Sequence, residues 1–375
     1  MTSASASVPA LANVPDGLFI DGRWVEPVGA QTLTSIRPTT GRPLRDFAAG
    51  TVEDVDRAVR AARAALEGPW SSMRPHDRQS MILRFAELVD QHFDELTMLD
   101  VLDMGLPITP AGGWREVLQR GLRFYAAAAL SIRGETIPHS MPAASGHYQA
   151  YTLKEPVGVV GAIASWNGPR WQTCKKFGAT LATGCTLVMK PSEEASLTVL
   201  RMTDLAREAG VPDGVINVVT GDHSVGAALA RHPGVDRIVF VGSVATARAV
   251  LDGARDTLKR VTLELGGKAP HVVFADADLE RAARGVVMGA FANSGQFCVA
   301  GSRLFVERRV SEAFVDEVVK RTEALVVGPS EDPGVQIGPL ISARQRDRVR
   351  GHLVTAERDG ARAYPVNDTA HRMNR

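Results

Sequence analysis

Between Val157 and Phe274 short β-rich runs alternate with helix-length stretches, and this alternation narrows the architectures open to the chain more than any other feature. The runs are 157–163, 186–189, 215–219, 237–241, 261–265 and 271–274, and intervals such as 196–209 and 245–258 are long enough for helices. Such alternation implies a parallel sheet with crossover helices, so an α/β fold is expected.

Upstream, Thr51-Val-Glu-Asp54 has the capping pattern of a helix start. Val55, Ala58, Val59, Ala62 and Leu66 follow at helical spacing, up to Gly68-Pro69. Residues 78–104 read as one further helix, closing before Gly105 and Pro107, and another amphipathic helix runs to about Arg133. Phe19 to Val25, around the turn dipeptide Asp21-Gly22, reads as a small peripheral hairpin. Between Gly134 and Pro156 the pattern turns to Pro and Ser, then to Tyr148, Ala150, Tyr151 and Leu153, which suggests an extended arm leaving the body.

With 375 residues, 45% of them hydrophobic, the chain can bury a large core in two or three domains. Lys and Arg number 43 against 42 Asp and Glu, interspersed, so a nucleic-acid partner is not expected. The longest apolar stretch, 157–164, falls far short of the roughly 20 residues of a membrane-spanning helix. Met1 to Pro15 lacks the basic start and apolar run of a secretory signal and reads as a flexible leader. A soluble, cytoplasmic protein is expected. The three cysteines form no CxxC pair and have no His at zinc-ligand spacing, so no metal site is expected. The odd count leaves at least one thiol without an intramolecular partner.

In an open α/β sheet, ligands bind beyond the carboxyl ends of the strands. Trp166-Asn167-Gly168-Pro169 follows the first run, Lys190-Pro-Ser-Glu193 the second, Gly221 the third and Gly242-Ser243 the fourth, while Glu264-Leu-Gly-Gly267 ends the fifth. These segments would converge on one rim. No GxGxxG occurs, so the usual dinucleotide fingerprint cannot name a cofactor. Glu193 could accept hydrogen bonds from ribose hydroxyls and Lys190 could donate to the same sugar, or the two could form an exposed ion pair on a solvated loop. Gly295-Gln-Phe-Cys298 precedes an apolar run at 303–306, where Cys298 is either a reactive thiol or a small buried hydrophobe. Cys174 and Cys185 read as core residues.

Seven segments stand in order along the chain: Glu155-Pro-Val-Gly-Val-Val-Gly161, Ser165-Trp-Asn-Gly-Pro169, Lys190-Pro-Ser-Glu193, Phe240-Val-Gly-Ser243, Leu263-Glu-Leu-Gly-Gly-Lys268, Gly295-Gln-Phe-Cys298 and Gly338-Pro-Leu340. Together they resemble the NAD(P)-dependent aldehyde dehydrogenase superfamily from about Phe19 to about Ala361, and the interval from Glu264 to Cys298 matches the family's spacing of base and nucleophile. The resemblance implies a Rossmann-type parallel-sheet cofactor domain of residues 1–133 and 157–266, a β arm for oligomerisation at 134–156, and an incomplete α/β catalytic domain at 267–375.

The same resemblance gives Cys298 the role of nucleophile, Glu264 that of general base and Asn167 that of oxyanion donor. Lys190 and Glu193 would contact the adenosine ribose, Trp166 and Ser243 would lie by the pyrophosphate, and Ile163, Gly221, Phe240, Gly242 and Leu265 would line the rest of the groove. Glu193 should repel a 2′-phosphate, favouring NAD, with NADP the alternative that Lys190 leaves room for. Gly168, Arg170, Trp171 and Phe297 are candidates to line the aldehyde tunnel, with Arg170 read as a surface charge.

Two departures stand out. Ala247 occupies the place of the family's usual second glycine after Gly-Ser, and the family pattern ends near Ala361, about a hundred residues early. The tail from Tyr364 reads as truncated or frameshifted. The absent stretch normally carries a Glu-Glu-x-Phe-Gly-Pro segment and a terminal strand used in oligomer pairing. Weak activity or none, unpaired sheet edges and weakened homo-oligomerisation are therefore expected, and an inactive remnant that retains NAD binding is the alternative to an oxidising enzyme. An acylating relative using coenzyme A is disfavoured by the presence of Glu264.

Overall fold

The computed structural model describes residues 9–140 and 148–361. Its centre is a seven-stranded sheet whose order across the molecule is Arg260–Leu265, Arg237–Gly242, Val159–Ile163, Thr186–Lys190, Ile216–Val218, Leu18–Ile20 and Arg23–Val25. The first five strands are parallel, and helices Pro169–Thr183, Leu197–Glu208, His223–Arg231 and Val244–Ala254 connect them in turn. Strand order runs outward from Val159–Ile163 on one side and then resumes on its other side, which makes this strand a topological switch point.

Helices cover both faces, so Val159–Ile163, Thr186–Lys190 and Ile216–Val218 are buried at every position. Side chains alternate between faces with period two. Leu187 accordingly joins a cluster with Phe85, Phe177 and Leu200, while Val188 joins another with Val59, Leu229 and Ile238.

Helix Val52–Glu67 starts and stops where its sequence indicates: Thr51 and Asp54 form a reciprocal capping box and Gly68 ends it. The single helix expected over 78–104 is two, Pro75–Gln91 and Phe93–Met104. They break at His92, whose ring reaches the Glu95 carboxylate at 2.7 Å and the Arg201 guanidinium at 3.2 Å. The stretch expected to reach Arg133 as one helix is Ile108–Gly112 and Arg115–Ala129, interrupted at Gly112-Gly113, a pair with low helix propensity.

The 18–25 hairpin is not peripheral. Leu18–Ile20 is fully buried and extends the main sheet by antiparallel pairing of Phe19 with Val218. Asp21 and Gly22 both have positive φ, as a tight two-residue hairpin turn requires. Nor is the leader free from Pro9 onward: Ala10 and Val14 are buried, and Arg45 donates to the Leu11 and Val14 carbonyls.

The arm is extended as expected, with Thr136–Ile137 paired antiparallel to Ala150–Tyr151; residues 141–147 and the tail after Ala361 lie outside the described residues. The run expected at 271–274 forms Pro270–Val273, which leaves the main sheet and pairs in parallel with Arg303–Val306. Helices Leu279–Phe291 and Ser311–Glu323 pack against that pair. One face of it stays open, with Val272 58%, Phe274 63% and Phe305 53% exposed. Among the described residues no helix is long and apolar enough to cross a membrane.

Arg170 departs most from expectation: it is 3% exposed rather than a surface charge. Its Nε donates to Asp100 Oδ2 at 2.5 Å and its Nη1 to Thr97 Oγ1 at 2.8 Å, with the guanidinium over the Phe93 ring. Thr198 Oγ1 donates to the other Asp100 oxygen at 2.7 Å. One turn further on, Asp103 accepts from Ser35 Oγ at 2.5 Å and from the Leu197 N–H at 2.9 Å, with no cation on it. Burial pushes Asp103 up to about 7, against the pull of these two hydrogen bonds.

A carboxyl whose folded pKa is raised favours the folded state while protonated; the contribution is fully present below 3.8 and is lost as pH rises through about 7. Asp103→Asn keeps an acceptor for the Leu197 N–H and removes the ionisation. Between about pH 5 and about pH 8, urea titrations should show the wild-type chain losing on the order of 2 kcal/mol more than the variant. Parallel pH profiles would rule out a buried titration at Asp103.

Candidate active site

Asn167 lies in the turn between strand Val159–Ile163 and helix Pro169–Thr183, Glu264 near the end of strand Arg260–Leu265, and Cys298 in the loop after the turn Ala292–Gly295. All three line one cavity of about 690 Å³, together with Trp114, Trp171 and Phe297. That size falls within the ~300–1,000 Å³ of ordinary small-molecule sites. Cys298 and Glu264 are exposed, so the small-buried-hydrophobe reading fails for Cys298; Cys174 and Cys185 are buried, as expected.

Asn167 joins the two loops. Its Oδ1 accepts from Ser165 Oγ at 2.8 Å, its Nδ2 donates to the Gln296 carbonyl at 2.8 Å, and its own carbonyl accepts from Asn293 Nδ2 at 3.3 Å. Asn293, Ser294 and Gly295 are left-handed in succession, with φ of 52°, 57° and 74°. Only the last is a glycine, so the bend must be held by neighbours. Gln296 does much of this, donating to the Asn293 carbonyl at 3.2 Å and accepting from the Ile341 N–H at 3.0 Å, while Ser294 Oγ donates to the Gly338 carbonyl at 2.9 Å. On the other side, a Cβ at Gly267 would stand 3.3 Å from the Cys298 carbonyl oxygen, which explains a glycine there.

Lys176, which sequence reasoning passed over, lines the same cavity. Burial lowers its pKa to about 8, the charge of Lys175 pushes the same way, and Glu264 opposes both. The Lys175-Lys176 doublet resembles a solvated surface pair, so only the helix's packing reveals this group.

The rim residues gather at adjacent strand ends. Ile163 stands opposite Lys190 and Phe240 in the sheet register, and Gly242 opposite Leu265. Lys190 is 5% exposed and donates to Glu193 Oε2 at 2.8 Å, so the pair is not the exposed one that the loop reading allowed. Burial raises the Glu193 pKa, but the Lys190 charge and hydrogen bond, helped by Arg344, hold it below the ordinary value.

Ser243 caps helix Val244–Ala254 by accepting from the Thr246 N–H at 3.2 Å, placing a helix N-terminus beside Gly242. At Gly221, with φ +150°, a Cβ would meet Val225 at 2.5 Å, and at Gly242 one would meet the Phe240 ring at the same distance. Phe240 and Ile163 are core residues, whereas Trp166 is half-buried against Val101, Met104 and Leu106. Lys190, Glu193 and Ser243 do not line the Cys298 cavity. The two regions meet at Glu264 and Leu265.

A doubly wound sheet with polar groups along its carboxyl rim, and with an exposed thiol sharing a cavity with a carboxylate and an amide, defines a nucleotide-dependent enzyme of the α/β class. The chain belongs to the aldehyde dehydrogenase family, whose model matches residues 24–370. Aldehyde dehydrogenase 1 of Tanacetum cinerariifolium is 40% identical over 351 residues, covering 92% of this chain and 69% of its own length. The NADP/NAD-dependent aldehyde dehydrogenase PuuC of Escherichia coli is 38% identical over 354 residues, covering 92% and 70%. The chain thus spans about 70% of the length of these relatives. An NAD+ complex of aldehyde dehydrogenase from Bacillus cereus superposes with a TM-score of 0.90 at 38% identity, covering 96% of this chain and 75% of that one.

Thiol reactivity requires both exposure and thiolate. Cys174 is buried and pushed up to about 12 by that burial, and Cys185 is buried too. Iodoacetamide on the native chain should therefore carbamidomethylate Cys298 first and leave Cys174 intact, and should modify all three cysteines after denaturation, as read by peptide mass spectrometry. Native modification of Cys174 at the rate of Cys298 would contradict this packing.

Proposed function

We propose that the chain oxidises an aldehyde to a carboxylic acid with NAD+, through a thioester on Cys298. The observation that carries this reading is the shared cavity of Cys298, Glu264 and Asn167, beside a rim suited to a dinucleotide. The rim fits that group: Glu193 offers an acceptor and Lys190 a donor, Ser243 opens a helix N-terminus, and Gly221 and Gly242 stand where any Cβ would collide.

Cys298 attacks the carbonyl carbon as a thiolate, forming the C–S bond and an oxyanion. Asn167 Nδ2 uses one N–H on Gln296, which leaves the second for the oxyanion. The Cys298 N–H, without a protein acceptor among the described residues, is the other donor. Each such donor is worth roughly 3 to 4 kcal/mol in the transition state. The nicotinamide, when bound, supplies the acceptor for the hydride that the tetrahedral adduct must lose. Glu264 then takes a proton from water as that water attacks the thioester; the C–S bond breaks and the thiolate is restored. Lys176 lines the same cavity as Glu264, with its own pKa lowered by burial to about 8. Aldehyde, NAD+ and water thus give carboxylate, NADH and two protons.

The residues divide accordingly. Residues 1–133 and 157–266 supply the cofactor side, 267–375 the thiol side, and 134–156 an arm whose exposed Tyr148, Tyr151 and Leu153 suit pairing with a second copy. Three unpaired cysteines suit a reducing compartment. A chain that binds NAD without turnover is the second reading, favoured by the open apolar face at Val272, Phe274 and Phe305.

With an aldehyde panel and NAD+, NADH absorbance should rise for wild type and be lost in Cys298→Ala. Glu264→Gln should keep a first-turnover burst yet lose about 100-fold or more in steady state; undiminished turnover would remove Glu264 as the base. NAD binding by calorimetry without any NADH formation would select the second reading. Because Glu193 is ionised at neutral pH, NAD should bind more tightly than NADP, and Glu193→Gln should narrow that gap by about tenfold. NADP binding as tight as NAD to wild type would undo the argument.

A further inference from the structure

The cavity's own chemistry bears on what the aldehyde carries at its other end. Phe297, the residue before the thiol, begins a row of rings: Trp114 lies 5.8 Å from it and Trp171 lies 6.3 Å from Trp114, centroid to centroid. All three line the cavity, and their planes are tilted by 36° and 51° to one another, so they offer a curved apolar wall of ring faces and edges against which an aromatic body can pack. Beyond Trp171 stands Lys175, its Nζ 4.5 Å from the Trp171 ring centroid. Gly168 leaves the approach open, since a Cβ there would meet nothing nearer than Trp171 Cβ at 4.0 Å.

Charge decides the far end. Arg170 lines the same wall but is neutralised by Asp100 at 2.5 Å. Lys176 senses Glu264. Lys175 is exposed and, among the described residues, has no carboxylate within ion-pair distance, and its Nζ stands over the Trp171 ring. The cavity that holds the thiol and these rings thus also holds a cation with no carboxylate on it among the described residues.

We propose that the preferred substrate is a flat, anionic aldehyde: an aromatic or conjugated body with a carboxylate at the end opposite the carbonyl, packed among Trp114, Trp171 and Phe297 and paired through that carboxylate with Lys175. This rests on the aldehyde oxidation proposed above. Lys175 binds the far end and leaves the chemistry to Cys298, so its effect belongs in selectivity. Any general requirement for a cation at this position would touch neutral aldehydes equally.

The test compares 4-formylbenzoate with 4-methylbenzaldehyde, which share a ring and differ in the charge of the para group, using the full chain and NAD+. The expected kcat/KM is about tenfold or more higher for 4-formylbenzoate, with the preference weakening as salt is raised. Lys175→Met should remove most of that preference and Lys175→Arg should retain it. Equal rates in wild type, or a preference that survives Lys175→Met, overturns the proposal. If neither aldehyde is oxidised, the reaction assignment has failed, and calorimetry with terephthalate against 4-methylbenzoate then decides the site by itself. Tighter terephthalate binding that Lys175→Met abolishes supports the anionic subsite, and its absence overturns it.

Discussion

The site depends first on the amide of Asn167. One side chain fixes the turn after the central strand by accepting from Ser165 and holds the cysteine loop by donating to the Gln296 carbonyl. The loop needs such a tie, because Asn293 and Ser294 hold left-handed backbone, at a cost of ~1–2 kcal/mol each for residues other than glycine. Hydrogen bonds from Ser294 and Gln296 offset that cost at about 1 kcal/mol apiece. What the strained turn provides is an exposed thiol on a sharp bend, with the Cys298 N–H left without an acceptor among the described residues. Substitution at Asn167 would therefore disturb the thiol's position as well as any oxyanion contact.

A second support lies beneath the aromatic wall. A buried ion pair such as Arg170–Asp100 adds little net stability, since desolvating both charges costs about as much as their attraction returns. Its geometric effect is larger. Asp100 also accepts from Thr198, and Asp103 accepts from the Leu197 N–H, so helix Phe93–Met104 holds both helix Pro169–Thr183 and the start of helix Leu197–Glu208. The first of these carries Trp171, Lys175 and Lys176 along the cavity, and the second follows directly from the Lys190–Glu193 segment at the rim. One helix with two buried carboxylates thus sets the cavity wall that carries Trp171 and Lys175 and the rim segment at Lys190–Glu193 relative to each other.

Much of this was legible in the sequence where the signal was local. The Thr51 capping box, the five runs that became parallel strands and the polar residues at their ends need only short-range chemistry to be read. The break at His92 was not legible, because apolar periodicity continues through Leu88, Val89, Phe93 and Leu96 while the bend is held by side chains reaching Glu95 and Arg201. The burial of Arg170 depends on a partner 70 residues away, and the placement of the 18–25 hairpin on a strand that enters the sheet two hundred residues later. No window of sequence contains either pairing. The place of Lys176 in the cavity was hidden in the same way, behind a doublet whose two members meet different surroundings.

The edge strand Arg260–Leu265 and its neighbour show how tightly the cavity lining is bound to register. Thr262 and Glu264 line the cavity, whereas Val261, Leu263 and Leu265 pack against the core on the opposite face. The neighbouring strand repeats the division, with Arg237, Val239 and Val241 toward the cavity and Ile238 and Phe240 in the core. Because side chains alternate with period two, a slip of one residue would bury Glu264 against Phe240 and turn Leu265 toward Cys298. The apolar residues around Glu264 oppose that slip: each would have to leave the core for an open cavity, at roughly 1.5–3 kcal/mol per large side chain. Hydrophobic burial on one face of the strand therefore holds the carboxylate on the other, and exposed Glu264 needs no ion pair of its own to face the thiol's cavity.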